Sequence, residues 1–450
     1  MRTKRAPAFK TLWATYTKTW SPEQLVQVML VVPDDSRYLH WDKLRFVRPI
    51  PEPFSTHEEW WLALLWWRRG SGIHLPLSTM GGTPFFFSLT PEIQRRVREI
   101  TMRTSGKLES LTPVAGPLER ETYLFSTLIE ESITSSQLEG AATTRLVAKE
   151  MLRTRRKPVD KNERMIFNNF EAMEFARAMR GERLTPEIVF ELHRILGRDA
   201  LDVAGAEGRF RTADEDIVVA AADGEVIHTP PPAATLEARM QALCDFANDR
   251  GPYVDPLLRA IILHFMIGYD HPFADGNGRV ARALFYWKTL SAGLELFEFT
   301  SISRILLRAP TQYVKAYVET ESAECDLTYF ILHQLGVLES GLTELQAYLR
   351  RKFDERRELE AALSALSLPH RQALVVRALA TKPWEPVAYR SHMDNCRVTR
   401  VTATSDLKML ADLGVVTARK RRNELQFFPA ADLVAALRRA SESAEGGAGG

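Results

Sequence analysis

The sequence predicts a mainly α-helical protein with a small helix-and-hairpin module near its C-terminal end. Three observations carry that expectation. Helical patterning recurs from Glu119 to Ala347. The segment from His271 to Arg282 sits between two helix-like stretches, the upstream one almost wholly apolar. The β-prone runs are short and come in pairs, one pair around Asp223-Gly224 and one on either side of Arg419–Asn423.

Composition bounds the rest. A chain of 450 residues is too long for one core, so two or three domains are expected. A formal charge of +2 and 45% hydrophobic residues describe a globular protein without a global bias toward nucleic acid. No apolar run approaches the ~20 residues that span a bilayer, so no membrane partner is expected. Met1-Arg2-Thr3-Lys4-Arg5 is basic, but no apolar signal core follows it. Cys244, Cys325 and Cys396 are scattered and form neither a disulfide framework nor a metal cluster, which fits a reducing cytoplasm.

Residues 1–112 read as an aromatic-rich accessory region. Trp60–Trp67 has helical character, with Ser55 and Glu58 as its expected capping box. Pro49, Pro51 and Pro53 break regular structure before it. Core packing accounts for these aromatic rings. Leu111–Pro117 marks a boundary. Glu119–Glu131 is helical and runs on into Ser135-Ser136-Gln137-Leu138-Glu139-Gly140, which alone reads as a helix end with a glycine stop. Arg153–Lys157 is a solvated charge run between helices. Glu163–Met179 and Thr185–Leu196 follow as helices, the second opened by Pro186 at its first position. Ile217–Ala220 and Glu225–His228 form a hairpin closed by Pro230-Pro231-Pro232.

Beyond Arg282, helices are expected over Ser303–Thr320 and Leu327–Ala347, with a charged connecting helix over Arg350–Glu360. Arg371–Leu379 and Val398–Leu410 read as two further helices. The runs Val415–Ala418 and Glu424–Phe428 then enclose the basic tip Arg419–Asn423. Helices followed by a basic-tipped hairpin resemble a winged helix-turn-helix. Arg397, Arg400 and Lys408 would lie on its recognition helix and Arg419–Arg422 on its wing. Two partners fit such a module, duplex DNA or a second copy of the chain. Residues 440–450 read as a disordered, Gly-rich tail.

The chemistry concentrates in His271-Pro272-Phe273-Ala274-Asp275-Gly276-Asn277-Gly278-Arg279-Val280-Ala281-Arg282. Gly276-Asn277-Gly278 makes a tight turn that opens directly into a helix. Its unpaired N–H groups and positive dipole end form an anion site. Asp275 suits Mg²⁺ (or Mn²⁺), Arg279 and Arg282 can fork onto phosphate oxygens, and His271 titrates where a general base should. Together they describe phosphoryl or nucleotidyl transfer to a hydroxyl.

This stretch matches the signature HxFx(D/E)GNGRxxR at every defined position, and on it the chain resembles the Fic family. Asp270 departs from the aliphatic residue that many members carry there, and Val280-Ala281 replaces a frequent Thr-Gly. Ser135, Glu139 and Gly140 match the family's inhibitory motif (S/T)xxxE(G/N). The resemblance implies an all-helical core over residues 113–347. Within it lie an inhibitory helix (119–144), a flap hairpin (208–232) that aligns the target backbone by β-augmentation, and a catalytic loop (271–282). A connecting helix (348–367) and the winged-helix-like domain (368–439) complete the organisation. The implied reaction moves AMP from ATP to a Ser, Thr or Tyr hydroxyl of a protein, this chain itself included. His271 is the base and Asp275 the metal ligand. Gly276, Asn277, Gly278 and Arg279 cradle the phosphates, and Arg282 takes the γ-phosphate once Glu139 leaves it. Hydrolytic removal of AMP from a modified target uses the same residues. A DNA-binding regulator with a nucleotide-sensing core is a third reading.

Overall fold

The polypeptide from Asp255 to Ser291 folds as two antiparallel helices around which the larger unit is built. The computed structural model describes residues 6–105, 117–215, 217–220, 224–421 and 424–446. Elements are numbered in chain order. α1 (Phe9–Thr19), α2 (Pro22–Leu30), α3 (Trp41–Leu44) and α4 (His57–Ser71) precede the hairpin β1 (Ile73–Ser78) and β2 (Pro84–Phe87) and helix α5 (Pro91–Thr104). Then come α6 (Pro117–Leu138), α7 (Arg145–Thr154), α8 (Lys161–Ala178), α9 (Pro186–Gly197), the strand pair β3 (Val219–Ala220) and β4 (Val226–His228), and α10 (Leu236–Ala247). The helical pair is α11 (Pro256–Asp270) and α12 (Asn277–Ser291).

Local chemistry sets the ends of that pair. The Asp255 carboxylate accepts from Leu257 N at 2.9 Å and Pro256 occupies the first turn, where its missing N–H costs nothing. Residues 257–267 of α11 are all buried, as are 279–290 of α12. α11, apolar on nearly every side, has to lie inside. α8 and α9 pack on α12, and α10 packs on α11.

The N-terminal region has its own core of Leu12, Trp41, Trp60, Trp61, Leu62 and Leu65, with Tyr329 among the residues packed into it. The helix α4 does carry a capping box, one residue later than the sequence suggests. Thr56 Oγ1 accepts from Glu59 N at 3.1 Å, and Glu59 returns the bond to Thr56 N. Arg68, on the same helix, is buried. It donates to both Asp35 oxygens and to Leu39 O, and it also reaches the Tyr329 hydroxyl.

Downstream, α13 (Ile302–Arg308) and α14 (Pro310–Ser322) are separate helices where one was expected. Pro310 lacks the N–H that would continue the first, so it opens the second. The reverse holds next: α15 runs unbroken from Thr328 to Leu366, absorbing the expected connecting helix. The C-terminal elements are α16 (His370–Thr381), β5 (Val387–Ala388), α17 (Tyr389–Cys396), α18 (Arg400–Asp412), β6 (Val416–Arg421), β7 (Glu424–Pro429) and α19 (Leu433–Gly446). The strands form one antiparallel sheet in the order β5-β7-β6, with Val387 opposite Phe427 and Ala418 opposite Phe427 on its other side. The order is thus helix, a two-residue strand, two helices and a two-stranded hairpin. α19 extends into the stretch read as a tail, since Ala440 and Ser441 pack inward and Ala and Glu favour helix.

The described residues divide into two compact units, those within 1–107 and 126–343 and those within 108–125 and 344–450. α6 and α15 contribute residues to both. The expected boundary at Leu111–Gly116, the basic start Met1–Arg5, Asp216 and Asp223 near the flap, the wing tip Arg422-Asn423 and Gly447–Gly450 lie outside the described residues.

Arg68 supports a stability prediction. Arg68→Met should lower stability by about 3 kcal/mol in urea denaturation, because it leaves the Asp35 charge without its cation. Adding Asp35→Asn should recover part of that loss; additive losses would mean that the pair is not coupled.

Candidate active site

Two left-handed backbone conformations shape the loop between α11 and α12. His271 closes α11 in the left-handed region (φ 44°), with its N–H on Ile267 O at 3.0 Å. Gly276, at φ 82°, caps α12, a conformation only glycine takes at low cost. Just after Gly276, Asn277 ties the loop to itself. Its Oδ1 accepts from Phe273 N at 3.0 Å and its Nδ2 donates to Phe273 O at 2.8 Å. The Asn277 side chain is therefore committed to the loop, and what it offers a ligand is its backbone N–H.

The first hydrogen bond of α12 runs from Val280 N to Gly276 O at 3.0 Å. That leaves the N–H groups of Asn277, Gly278 and Arg279 without an intrahelical acceptor. The Glu139 carboxylate lies over this helix start. A Cβ added at Gly278 would collide with Glu139 Oε1 and Cδ, and Arg282 Nη1 would lie 3.0 Å from it. A side chain at 278 would therefore push the Glu139 carboxylate from the place it takes over the helix start.

Arg282, 1% exposed, reaches the same point from one turn further along. Its Nη2 donates to Glu139 Oε1 at 2.9 Å and to Ser135 O at 2.9 Å, and its Nε donates to Ser135 Oγ at 2.8 Å. Burial works against the charge on both partners, yet each is held charged by the other. Glu139 sits below the ordinary carboxyl value, with Arg282 and then Arg279 as the attracting charges. Arg282 sits above its own. The turn that aims Glu139 relies on Gly140 at φ 93°, with Ala141 N on Ser136 O at 3.0 Å.

Arg279 lies beneath the loop, fully buried, donating to Leu196 O at 3.3 Å with Asp275 Oδ2 3.5 Å away. Asp275 is 37% exposed, and its Oδ1 accepts from Gly276 N at 2.6 Å. The His271 ring sets its Nδ1 3.2 Å from Gly268 O. A carbonyl only accepts, so Nδ1 carries the proton and Nε2 keeps its lone pair. Burial pushes the imidazole below its ordinary value, which favours that neutral form. The structure thus gathers Ser135, Glu139, His271, Asp275, Gly276, Gly278 and Arg282 at one place. Arg279 and the Asn277 side chain brace it from below.

Several side chains around the loop carried no sequence signal. His193, on α9, stacks on Phe273 with ring centroids 3.8 Å apart. Arg211 donates from Nε to His271 O at 2.8 Å, and its own N–H reaches Pro272 O at 2.9 Å. Asp270 is buried and pairs with Arg239, its Oδ1 accepting from Arg239 Nε at 2.7 Å; burial lifts this carboxyl to about 6. His228, from strand β4, bridges Tyr269 O at 2.7 Å and Glu321 Oε2 at 2.8 Å. Burial opposes a charge there, but Glu321 and the carbonyl raise its pKa overall. The pair β3–β4 stands where the flap is expected, shorter than the sequence suggests, with Val219 opposite His228.

Residues 183–288 match the Fic/DOC family. They are a Fic domain. Ser135, on α6, and Glu139, just past its end, precede the matched span. The chain is 26% identical over 214 residues to the protein adenylyltransferase Fic of Nematostella vectensis, covering 45% of this chain and 47% of that one. It is 28% identical over 163 residues to the protein adenylyltransferase Fic of Drosophila willistoni, 35% of this chain and 30% of the relative. The chain thus spans about half or less of the length of these curated relatives. Among solved structures, a Fic family protein from Desulfovibrio desulfuricans G20 superposes with a TM-score of 0.49 at 18% identity, covering 77% of this chain and 98% of that one. Fic-1 of Caenorhabditis elegans (residues 134–508) gives 0.46 at 16%, with 58% and 74% covered. No helix of the described residues is long and apolar enough to cross a membrane.

In this Fic domain His228, at the end of β4, predicts a pH response. Its folded pKa is raised, so the bond to Glu321 contributes fully below about 6.5, the unfolded value, and is lost as pH rises through the folded one. Hydrogen exchange at residues 226–228, corrected for intrinsic rates, should quicken over that window, and Glu321→Gln should abolish the pH dependence. A flat profile in the unaltered chain would discard the charged anchor.

Proposed function

We propose that this chain is an autoinhibited adenylyltransferase that moves AMP from ATP to a protein Ser, Thr or Tyr hydroxyl. The observation that carries this reading is the Glu139 carboxylate lying over the start of α12 and paired with Arg282. The chain's own anion marks an anion site built from free N–H groups and a buried guanidinium. The adenylyltransferase names of the relatives support the nature of the transferred group.

His271 Nε2 accepts the proton of the target hydroxyl. That oxygen forms a bond to the α-phosphorus of ATP, the bond from this phosphorus to the bridging oxygen breaks, and pyrophosphate leaves. The N–H groups of Asn277, Gly278 and Arg279 and the positive end of α12 stabilise negative charge on the phosphates. Arg282 takes the γ-phosphate when Glu139 moves off it. Until then the carboxylate repels the triphosphate and holds the α-phosphorus out of line. Asp275 fits a hard divalent cation, being exposed at the loop mouth with Oδ2 beyond good hydrogen-bond reach of Arg279. Asp275 would hold Mg²⁺ (or Mn²⁺), which supplies neutralisation of phosphate charge when bound.

Incubation with α-labelled ATP and Mg²⁺ tests the reading. Glu139→Gly should raise labelling of the chain or added protein by roughly 10²-fold, the scale of a misplaced phosphorus. Adding His271→Ala should return it to background, a loss of ~10²-fold or more. Arg282→Ala should be silent with or without Glu139. Equal labelling by Glu139→Gly and the unaltered chain would end the inhibitory reading.

For the C-terminal unit, the sheet order β5-β7-β6 and the exposed Arg397, Arg400, Lys408, Arg419 and Lys420 favour duplex DNA as partner. Affinity should fall steeply with salt as phosphate counterions are released, and Arg419→Ala with Lys420→Ala should flatten the log–log slope by about 2. A second copy of the chain is the competing partner; it predicts no DNA binding at low salt and a concentration-dependent mass.

A further inference from the structure

His193 has the surroundings of an ordinary buried histidine until its two ring nitrogens are followed. Nε2 lies 2.9 Å from Asp275 O, and Nδ1 lies 2.9 Å from Gly208 N. The carbonyl can only accept and the amide can only donate, so the tautomer is fixed: proton on Nε2, lone pair on Nδ1. The ring lies flat on Phe273, 8° from parallel. One side chain of α9 therefore touches the loop at residues 273 and 275 and also holds the start of the 208–211 segment. That segment in turn grips His271 O and Pro272 O through Arg211.

The consequence lies in the next peptide group. A trans peptide is planar, with its C=O and N–H pointing in opposite directions. Holding the Asp275 carbonyl toward His193 therefore turns Gly276 N–H the other way, onto Asp275 Oδ1 at 2.6 Å. The direction of one carbonyl thus orients both the Asp275 carboxylate and the residue that caps α12. Gly276, at φ 82°, lacks the Cβ that would otherwise limit rotation of this peptide, so the restraint has to come from outside the loop.

We propose that His193 is a positioning residue for nucleotidyl transfer, fixing the Asp275–Gly276 peptide plane and through it the mouth of the anion site. The inference rests on the transfer reading above for its effect on rate, and on geometry alone for its effect on the loop.

The two conservative replacements separate the two contacts. Counting bonds from Cβ, the glutamine amide nitrogen can stand where Nε2 stands and donate to Asp275 O. The asparagine oxygen stands where Nδ1 stands and can only serve Gly208. In the full-length Glu139→Gly chain, His193→Gln should keep kcat within about threefold. His193→Asn and His193→Leu should lose ~10-fold to ~10²-fold in kcat, with a smaller change in KM for ATP, as expected when alignment rather than binding is lost. Hydrogen exchange across residues 273–279 of the same chains, without nucleotide, should quicken about tenfold for Asn and Leu and stay near the parent for Gln. Equal exchange in His193→Gln and His193→Asn overturns the proposal. So does a kcat loss that follows thermal midpoint and not the Asp275 contact. If the Glu139→Gly parent transfers no AMP while the exchange pattern holds, the transfer reading fails and the restraint on the loop stands.

Discussion

A guanidinium buried to 1% exposure is the constraint on which the molecule's arrangement turns. An unpaired cation there would cost several kcal/mol, so acceptors must surround Arg282. Ser135 supplies a hydroxyl and a carbonyl, and Glu139 supplies the charge. These residues lie on α6 and just past its end, 143 to 147 positions away in sequence, so the need to satisfy one side chain fixes where that helix ends. The same carboxylate lies against Gly278, at the start of α12. On the reading proposed above, activation exchanges one anion for another: Glu139 can leave only as a phosphate arrives.

The loop itself is held by backbone accounting. Its carbonyls at Phe273, Asp275, His271 and Pro272 are satisfied by Asn277, His193 and Arg211, each from a different part of the chain. Buried carbonyls without donors are rare because each costs a lost hydrogen bond. Satisfying them from three directions leaves the loop little freedom to turn. On the reading proposed above, rigidity of this kind lets His271 present Nε2 to a hydroxyl without reorganising first.

What the sequence revealed and what it hid follow from how local each signal is. His271 to Arg282 was readable because glycine, a helix start and the polar residues sit within twelve positions, and each type admits few other uses. Glu139 was readable only through a resemblance, since a glutamate before glycine at a helix end is ordinary. His193 was hidden: within Phe190–Leu196 it looks like one polar residue on an apolar helix, and its partners lie 15 and 82 positions away. Arg211 and His228 were hidden for the same reason. In the C-terminal unit, α17 escaped because Tyr389–Cys396 has little apolar periodicity, and its one buried residue, His392, is held by Asp406. β5, only two residues long, becomes a strand through pairing with β7, which no local pattern announces. The division of Ser303–Thr320 at Pro310 was readable in principle and outweighed by the helical pattern on either side.

On the reading proposed above, the base His271 and the inhibitor Glu139 are linked by charge as well as by place. Burial, first, lowers the proton affinity of His271, while the Glu139 carboxylate raises it and His228 and Arg211 lower it. An anion lying over α12 is therefore one of the charges that favour the protonated ring, ranking after burial, which opposes it, and the Gly268 carbonyl. Glu139 brings one negative charge, and a bound triphosphate brings more. Replacing the first by the second makes Nε2 a stronger base at the moment the α-phosphorus is in line. Before that exchange the imidazole, neutral and weakly basic, has no activated phosphorus to direct a proton transfer toward. The arginine that must not be left unpaired thus keeps the site electrostatically complete in both states, and only the phosphate-bearing one equips His271 for its task.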